Sequence, residues 1–453
     1  MTGIDHQAIE QVSTALILAD PAELLPERRR DEAARIQRPL RVISAARIGD
    51  RPFYAVLLED ARGERYGGPM LIDDGRLRRA RAEEGASRAL IEQLRAHHDH
   101  GLKVTLHEPE SWPQSSDWTE HAIAADQTND LVAVGSQALV KWMLHPATGE
   151  DVASARLGAL TAAGFSHAPR LWAEVDLVVT GGRESTASRI ATVIDLVPDA
   201  QDGWEWAVSD VRELALGTVS MVQALAPVLE IGTVTAHMHI ALSRSPQRRT
   251  ATMDDVQNWL RWFEDDVQAS GIEGDLVVEV RRALPSIEAA VNSIIMPIHG
   301  DYHIGQVLRS SHASTPDADR YVIVDFDGSP LLTPQERLLP QPPARDVASM
   351  LASLDHVGRV VLHRTEGLDQ HQRSVVLQWI DRSQSVLLAA YLAELEQADA
   401  LDLADARLTA AFQVQQELRE YAYARRYLPH WHYVPDAALP ALIARQRGGS
   451  DGS

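Results

Sequence analysis

The chain of 453 residues contains no cysteine and only two lysines, Lys103 and Lys141. Without cysteine it can form no disulfide, no thiolate metal site and no thiol nucleophile. Acidic residues outnumber lysine and arginine by 64 to 43, which gives a formal net charge of −21. This charge opposes binding to nucleic acid or to an anionic membrane surface. The composition therefore predicts a cytoplasmic protein that has neither nucleic acid nor membrane among its partners.

Targeting segments and long apolar runs are also missing. Residues 1–5, MTGID, have neither the basic nor the apolar region of a signal peptide. No uninterrupted apolar run approaches the length of a membrane span. Hydrophobic residues make up 45% and charged residues 24% of the chain, which is typical of a globular protein. The length allows two or three domains with a sizeable core.

Two motifs in the C-terminal half carry the clearest chemistry. Residues 299–306 read HGDYHIGQ, and residues 325–328 read DFDG directly after the apolar run 321–324. Kinase-type phosphotransferases need a carboxylate that accepts a hydroxyl proton, and an amide and a carboxylate that hold magnesium on a nucleotide. Asp301 and Gln306 have the spacing of Asp and Asn in the kinase catalytic loop, with glutamine in place of asparagine. The pattern predicts a small-molecule kinase.

Each of these side chains has an expected role. Asp301 is the expected general base for the attacking hydroxyl. Gln306 and Asp325 are the expected magnesium ligands, with Asp327 as an auxiliary ligand, because Mg²⁺ prefers hard oxygen donors. Lys141 follows an apolar strand, and its ammonium is expected to bind the α- and β-phosphates of ATP. The expected cofactors are therefore Mg²⁺ and, as co-substrate, ATP.

Other interpretations of the same residues compete with this one. His299 and His303 have the spacing of a zinc-binding helix, but Gly300 occupies the position of the general-base glutamate and disfavours a helix. A hairpin whose acidic side chains are merely solvated is a second alternative. Lys141 has its own alternative, as a strand lysine that extends to solvent. The two motifs together, with an apolar strand between them, favour the kinase.

The hydrophobic pattern divides the chain into four parts. Residues 1–110 form a mixed N-terminal cap subdomain. Residues 111–198 are rich in strands and include a hairpin at 131–142. Residues 199–447 are mainly helical and contain the catalytic motifs, and residues 448–453 form a disordered tail. This order predicts an α+β, bilobal, protein-kinase-like fold with a mostly helical C-terminal lobe.

Helices are expected where apolar residues recur at helical spacing. They are predicted at 207–225, 228–243, 253–270, 275–292, 368–398 and 402–426. Pro227 is expected at the boundary between the first two, since proline suits a helix start. Arg345 and Asp346, at a helix start, are interpreted as a cap and a lobe-stabilising pair. A hinge is expected near residues 197–203.

No Gly-rich loop precedes Lys141, so the rest of the nucleotide site must come from other residues. Thr128 and Asn129, before the hairpin, are expected to cover the phosphates. Asp195 and Val197, where a strand enters the hinge, are the other predicted nucleotide contacts. Asp151, at the start of the next helix, is the candidate acid partner of Lys141.

The chain resembles the aminoglycoside-phosphotransferase-like sugar kinases of actinobacteria, and more narrowly the maltokinase group. The resemblance runs through most of the sequence and is carried by QTN (127–129), LVK (139–141), DGWE (202–205), TAHMH (235–239), HGDxHxGQ, DFDG and Arg345-Asp346. It implies a eukaryotic-kinase-like fold with an extra N-terminal cap. It also implies the use of magnesium and a nucleoside triphosphate to phosphorylate a free sugar.

The C-terminal segment 415–433 bears on the sugar. Maltokinases have positions similar to Glu420, Tyr423 and Pro429 to Trp431. The run QELREY and the segment HWHY are instead similar to the glucosamine kinases related to maltokinases, as is DFDG in place of DFEG. Glucosamine carries an ammonium group that an acidic pocket would favour over neutral glucose.

The expected sugar site combines this segment with the catalytic loop. Glu417 and Glu420 are expected on one helical face, with Tyr421 one turn from Glu417 and Trp431 stacked on the sugar ring. Asp301 and His303 complete the predicted substrate-binding set. The competing interpretation of the helix is an exposed surface with Glu–Arg pairs.

The predicted function is ATP-dependent phosphorylation of D-glucosamine to glucosamine 6-phosphate. The alternatives are a maltokinase that makes maltose 1-phosphate, an aminoglycoside phosphotransferase, and a non-catalytic kinase-like module. The expected partners are glucosamine and ATP, with the protein a monomer or a weak homo-oligomer.

Overall fold

A computed structural model describes residues 4–98, 101–112, 118–123, 129–146, 151–179, 186–310 and 321–450, with side chains up to residue 447. The chain forms two compact units. The first comprises Met1–Gly158 with Pro169–Pro198, and the second comprises Ala159–Ala168 with Asp199–Ser453.

The first unit contains a four-stranded antiparallel sheet near its N-terminus. Its strands, in sheet order, are β1 (Arg41–Ile48), β2 (Phe53–Glu59), β3 (Arg65–Asp73) and β4 (Arg76–Arg79). Helix α1 (His6–Leu16) begins after Asp5, whose side chain accepts a hydrogen bond from the Ala8 amide at 2.9 Å. Its buried residues recur at helical spacing and pack with those of the sheet in one core. Short 3₁₀ helices lie at Pro21–Leu24 and Glu27–Arg35.

A six-stranded antiparallel sheet forms the rest of the first unit. Its strands are β5 (Leu102–Leu106), β6 (Glu120–Ile123), β7 (Asp130–Val134), β8 (Ala138–Trp142), β9 (Leu171–Val179) and β10 (Thr186–Asp195), in the order β5-β9-β10-β8-β7-β6. The predicted hairpin is formed by β7 and β8, and Gly135 takes a positive φ of 60° in its turn. Because β5 pairs with β9, residues before 110 take part in this sheet.

Two helices accompany this sheet. They are α2 (Ala86–Arg95) and α3 (Val152–Ala162), and the division between the two units falls within α3. Burial alternates along β8, where Ala138, Val140 and Trp142 are buried. The Trp142 indole donates to Ser87 Oγ at 2.9 Å, so its polar atom is satisfied inside the core. The side chain of Lys141 therefore lies on the opposite face of the strand.

The second unit is mainly helical. Within the described residues its α-helices are α4 (Gly203–Ala215), α5 (Met221–Leu242), α6 (Met253–Ser270), α7 (Asp275–Val280), α8 (Leu284–Glu288), α9 (Pro334–Arg337), α10 (Ala344–Arg364), α11 (Gln370–Gln397), α12 (Ala406–Tyr427) and α13 (Tyr433–Ser450). Helix α5 packs along α11, and α12 packs against both α6 and α10. Single 3₁₀ turns lie at Arg281–Ala283, Ile304–Gln306, Leu401–Leu403 and Pro429–Trp431.

Short strands in the second unit frame the two catalytic motifs. Strands β11 (Ala200–Gln201), β14 (Val307–Ser310) and β15 (Tyr321–Ile323) form one small sheet, and β12 (Arg249–Thr250) pairs with β13 (Ile294–Ile295). Val307 is opposite Ile323 in the β14–β15 pair, and the Val324 amide donates to the Gln306 carbonyl at 2.9 Å. This register brings the end of HGDYHIGQ beside the start of DFDG.

The boundary between α4 and α5 differs from the prediction. Helix α5 begins at Met221, six residues before Pro227, because Ser220 and Gln223 form a capping box. Pro227 therefore lies inside α5 and is buried. By length and composition α5 is apolar enough to cross a membrane, with a mean hydropathy of 1.3, but 61% of that stretch is buried within the protein. Core helices commonly meet the same criterion.

Other helices also depart from the prediction. The expected helix at 275–292 is divided into α7 and α8 by a 3₁₀ turn that precedes Pro285. The helix start predicted at Arg345 and Asp346 is the start of α10, whereas α13 is not among the predicted helices. Helix α13 continues to Ser450, so the first residues of the expected disordered tail at 448–453 are helical.

Candidate active site

The segment HGDYHIGQ forms a loop rather than a helix. Gly300 adopts a φ of 82°, a conformation that favours glycine. Its amide donates to Asp346 Oδ1 at 2.8 Å, and the His299 amide donates to Asp346 Oδ2 at 2.7 Å. The two histidines of the segment are thus not one turn apart on a helix, which removes the geometry of the zinc alternative.

Asp346 anchors this loop from the N-terminal turn of α10. Its side chain is buried and also lies 3.3 Å from Nε2 of the buried His239. Burial opposes its ionisation, but the contacts with His239 and the Gly300 amide outweigh burial and hold the pKa of Asp346 below its ordinary value. The expectation of a cap is wrong for Asp346, because the N-cap position of α10 is Pro343 and no side chain caps it. Asp346 has a stabilising role, since it holds the catalytic loop.

His299 connects the two catalytic motifs. Its buried ring accepts a hydrogen bond from the Asp301 amide at Nδ1, at 3.3 Å. That bond fixes the tautomer, so Nε2–H donates to the Val324 carbonyl at 2.9 Å. The backbone of Asp301 and the residue before Asp325 are thereby joined through one imidazole.

The loop is held again on the other side of Asp301. The Tyr302 hydroxyl lies 2.9 Å from Thr235 Oγ1, and both residues are fully buried. The Ile304 amide donates to Ser353 Oγ at 2.8 Å. Contacts with the helices therefore fix the loop backbone on both sides of Asp301.

Asp301 has the electrostatic setting of a proton acceptor. Burial raises its pKa, His303 lowers it, and the negative charge of Glu420 raises it. A carboxylate with a raised pKa accepts a proton more readily than an ordinary aspartate.

Gln306 and Asp325 lie side by side, as the spacing of the motifs predicts. Gln306 Nε2 donates to Asp325 Oδ2 at 3.2 Å, and Asp325 is exposed with a φ of 64°. The half-buried Asp327 follows two residues later. These amide and carboxylate oxygens are the hard donors that Mg²⁺ prefers. In the parts of the chain that the structure describes, no three His, Asp or Glu side chains cluster as a metal site.

A cavity of about 690 Å³ opens beside Asp301. It is formed by the catalytic loop and by residues of α4, α10 and α12. Trp204 and Trp431 meet edge to face at its wall, with ring centroids 5.9 Å apart, and Trp204 lies 6.4 Å from the His303 ring. The walls are therefore aromatic near the catalytic carboxylate.

Glu420 is fixed within this cavity by two donors. The Trp431 indole donates to one carboxylate oxygen at 3.1 Å, and Gln416 Nε2 donates to the other at 3.2 Å. Of the predicted substrate residues, Asp301, His303, Glu420 and Trp431 all line the cavity. The structure thus brings four of the six together.

Glu417 and Tyr421 do not line the cavity, contrary to the prediction. Glu417 is only 2% exposed and bonds His356 at 2.9 Å, and it is His356 that lines the cavity. Burial opposes a cationic imidazole, but Glu417 outweighs it and raises the pKa of His356 to about 9. Tyr421 is buried, and its pKa is raised by burial.

The cavity face of α12 is displaced by one residue from the predicted face. The residues of α12 that line the cavity include Gln416, Arg419, Glu420 and Tyr423, which follow the spacing of one helical face.

Trp204 is a cavity residue to which the sequence assigned no role, although its motif DGWE was noted. Helix α4 starts here, capped by Asp202, and its first residue, Gly203, lies against the catalytic loop. A Cβ atom at Gly203 would lie 1.8 Å from the Ile304 carbonyl oxygen. Only glycine therefore permits this approach, which places Trp204 beside the loop.

Arg345 also lines the cavity. Its guanidinium lies 4.0 Å from the Phe412 ring centroid and donates to the side chains of Gln341 and Gln415, each at 3.0 Å. Desolvation lowers the pKa of Arg345 well below its ordinary value. Arg345 thus joins α10 to α12 at the cavity wall.

The predicted nucleotide residues belong to the first unit. Thr128 lies outside the described residues, and Asn129 accepts a long hydrogen bond from the Leu144 amide. Lys141 is half-buried in β8, opposite Thr192 of β10. Val197 is half-buried just after β10.

Two acidic residues of the first unit are engaged by other side chains. The Asp195 carboxylate accepts from Arg170 Nε at 2.8 Å and from the Trp172 indole at 2.7 Å. Asp151, the candidate partner of Lys141, accepts from Ser154 and lies 3.9 Å from Arg189.

Comparisons with known proteins extend these observations. No family model matches the chain. A glucosamine kinase from Streptacidiphilus jiangxiensis is 38% identical over 95% of this chain and 98% of that protein. A glucosamine kinase from Mycolicibacterium smegmatis is 35% identical over 82% of this chain and 91% of that protein.

Solved structures agree in fold. A glucosamine kinase in complex with glucosamine, ADP and inorganic phosphate superposes with a TM-score of 0.79 at 35% identity, covering 98% of this chain and all of that one. A second glucosamine kinase structure, crystal form B, gives a TM-score of 0.80 at 34% identity and covers 96% and 99% of the two chains. The predicted α+β fold is confirmed.

Proposed function

This chain belongs to the glucosamine kinase family, and from that premise we propose that it transfers the γ-phosphoryl group of ATP to the 6-hydroxyl of D-glucosamine. One observation carries the proposal. Asp301, the candidate base, and Glu420, a carboxylate fixed by Trp431 and Gln416, line the same cavity. The candidate base and a group suited to an ammonium therefore line one cavity.

Glu420 is the proposed partner of the sugar ammonium group. The ammonium can only donate hydrogen bonds and a carboxylate can only accept them, so the two are complementary. Because both Glu420 oxygens already have a donor, the carboxylate is oriented before the sugar arrives. Trp431 and Trp204 supply aromatic surface for the sugar ring and for the cation. Neutral glucose would lose the charge-assisted bond but keep the aromatic contact.

Asp301 is the proposed general base. The 6-hydroxyl proton passes to the Asp301 carboxylate while the hydroxyl oxygen forms a bond to the γ-phosphorus. The bond from that phosphorus to the β–γ bridging oxygen breaks, and ADP leaves. The raised pKa of Asp301 matches this task, and the anchored loop holds it in one orientation for in-line attack.

Gln306 and Asp325 would hold Mg²⁺, with Asp327 nearby. The bound ion would neutralise charge on the β- and γ-phosphates. Lys141 is the proposed contact of the α- and β-phosphates. Thr128, Asn129, Asp195 and Val197 remain proposed nucleotide contacts. Because Arg170 and Trp172 already bond the Asp195 carboxylate, we propose that Asp195 contacts the nucleotide through its backbone.

A substrate panel tests the proposal. ADP release is measured with ATP and Mg²⁺ in the presence of glucosamine, glucose, N-acetylglucosamine, maltose or an aminoglycoside. We expect a clear preference for glucosamine, because N-acetylation removes the ammonium and maltose lacks it. A preference for maltose would instead identify a maltokinase, and a lack of turnover with every sugar would refute the proposal.

The base assignment needs a separate variant. Asp301→Asn preserves the shape of the side chain but removes its ability to accept the proton. We expect wild-type ATP binding and thermal stability, with kcat lowered by about 10²–10⁴-fold. Wild-type turnover by this variant would refute the role of Asp301.

A further inference from the structure

Helix α5 carries the motif TAHMH (235–239), to which the sequence assigns no role. Thr235 and His239 are four residues apart, so they lie on the same face of the helix. Both are completely buried. His237, between them, is on another face, where its exposed ring contacts Glu394 at 3.1 Å. Thr235 and His239 are thus buried polar residues, and the exposed His237 of the same helical turn can serve as their control.

Thr235 holds the residue that follows the candidate base. Its Oγ1 lies 2.6 Å from the Ile231 carbonyl and 2.9 Å from the Tyr302 hydroxyl. The threonine hydroxyl has one proton, and the carbonyl can only accept, so that proton goes to Ile231. The Tyr302 hydroxyl must then donate to Thr235 Oγ1. Tyr302 is directly bonded to Asp301, so this bond fixes the loop on the C-terminal side of the base.

His239 acts on the N-terminal side, through Asp346. Its Nε2 lies 3.3 Å from Asp346 Oδ2, and its Nδ1 lies 2.9 Å from the Tyr391 hydroxyl. Because the carboxylate accepts, Nε2 carries the proton and Nδ1 accepts from Tyr391. Asp346 in turn accepts from the His299 and Gly300 amides at 2.7 and 2.8 Å. A continuous line of hydrogen bonds thus runs from α11 through α5 to the two residues before Asp301.

We propose that Thr235 and His239 are positioning residues that clamp the catalytic loop on both sides of Asp301. Thr235 acts through Tyr302, and His239 acts through Asp346. The inference rests on the proposed kinase activity, which requires the Asp301 carboxylate to meet a hydroxyl in a defined geometry. A displacement of about 1 Å at such a centre can cost about 10²-fold in rate.

Paired substitutions separate positioning from simple packing. Thr235→Val removes the hydroxyl but keeps the shape, whereas Thr235→Ser keeps the hydroxyl. His239→Leu removes both ring nitrogens, whereas His239→Gln retains an amide donor near the position of Nε2. His237→Gln is the matched control on the exposed face of the same helical turn.

The measurements are kcat and KM for ATP and for the sugar, with rates divided by the amount of folded protein from a thermal unfolding curve. We expect Thr235→Val and His239→Leu to lower kcat by about 10–100-fold while each KM stays within about threefold. Thr235→Ser and His239→Gln should recover most of the lost rate. His237→Gln should behave as wild type.

The outcomes that overturn the inference are distinct from those that overturn the proposed function. Wild-type kcat per folded molecule in Thr235→Val and His239→Leu would show that both residues serve only packing. Equal losses in the serine and valine variants would show the same for the Thr235 hydroxyl. The assay uses whichever sugar of the panel the wild-type protein prefers. If that sugar is not glucosamine, the sugar assignment is wrong, but the variants can still be compared with the wild-type protein. Absence of turnover with every sugar would overturn both.

Discussion

Replacing Glu420 by glutamine should change sugar selectivity more than catalysis. The substitution keeps the size of the side chain and one acceptor oxygen for Trp431 or Gln416, but it removes the negative charge. A hydrogen bond to a charged group contributes about 1.5–3 kcal/mol, against about 0.5–1.5 kcal/mol for a neutral one. The loss of about 1–2 kcal/mol corresponds to a ~5–30-fold lower kcat/KM for glucosamine. For glucose, which has no ammonium, we expect a change within about threefold.

The same variant should alter the pH dependence of turnover. Burial is the main cause of the raised pKa of Asp301, and the charge of Glu420 adds to it. The base must be ionised to accept a proton, so the rate falls as the pH drops through its pKa. Without the Glu420 charge this pKa falls, and the acid limb of the kcat profile should move to lower pH.

The change in sugar selectivity and the shift of the acid limb are both tested in one assay series, in which kcat and KM are measured for glucosamine and glucose across acidic and neutral pH. Gln416→Glu is not a suitable control, since it would add charge beside Glu420. Tyr423→Phe is preferable, because it changes a cavity residue of the same helix face without changing charge. Equal losses for both sugars would refute the placement of the ammonium at Glu420. An unchanged acid limb would refute the effect of the Glu420 charge on the pKa of Asp301.

Three further variants test the structure around the site. Gly203→Ala would place a methyl group 1.8 Å from the Ile304 carbonyl oxygen. We therefore expect a melting temperature several degrees lower, together with a reduced kcat. An unchanged melting curve would contradict the close packing. Glu417 raises the pKa of His356 to about 9, above the 6.5 of the unfolded chain, so the contribution of His356 to stability is complete below pH 6.5 and is lost as the pH rises through about 9. His356→Gln should abolish that slope in chemical unfolding measured across this pH window, although its stability at neutral pH will be lower. Gln306→Ala should raise the Mg²⁺ concentration required for half-maximal turnover while leaving the KM for the sugar nearly unchanged, and an unaltered Mg²⁺ dependence would argue against Gln306 as a ligand.

The sequence was most informative where local spacing determines geometry. Gln306 and Asp325 are adjacent because β14 and β15 pair antiparallel, and the apolar run before DFDG indicates the second of these strands. Gly300 disfavours a helix on its own, and the structure has a loop there.

Contacts between distant segments could not be predicted in the same way. Asp346 supports the catalytic loop from another helix, and no periodicity in the sequence connects the two. Tertiary packing decides which face of α12 lines the cavity, because the acidic Glu417 faces inward and pairs with His356. Glutamate is seldom buried without such a partner, so the sequence alone placed Glu417 with Glu420 on the cavity face. At Pro227 the prediction relied on the proline, whereas the capping box at Ser220 determines where α5 starts.

The candidate active site is assembled from segments that lie far apart in the sequence. The loop at 299–306 and the turn at 325–328 supply the candidate base and metal ligands, whereas Gln416, Glu420 and Trp431 come from one short C-terminal stretch. Trp431 and Gln416 orient Glu420, so the acidic side chain and the two residues that bond it lie in one segment and can be replaced together. A relative could therefore acquire another acceptor sugar by altering that stretch while keeping the phosphoryl-transfer apparatus. For protein engineering, the same stretch is the part to randomise first when a new acceptor is sought.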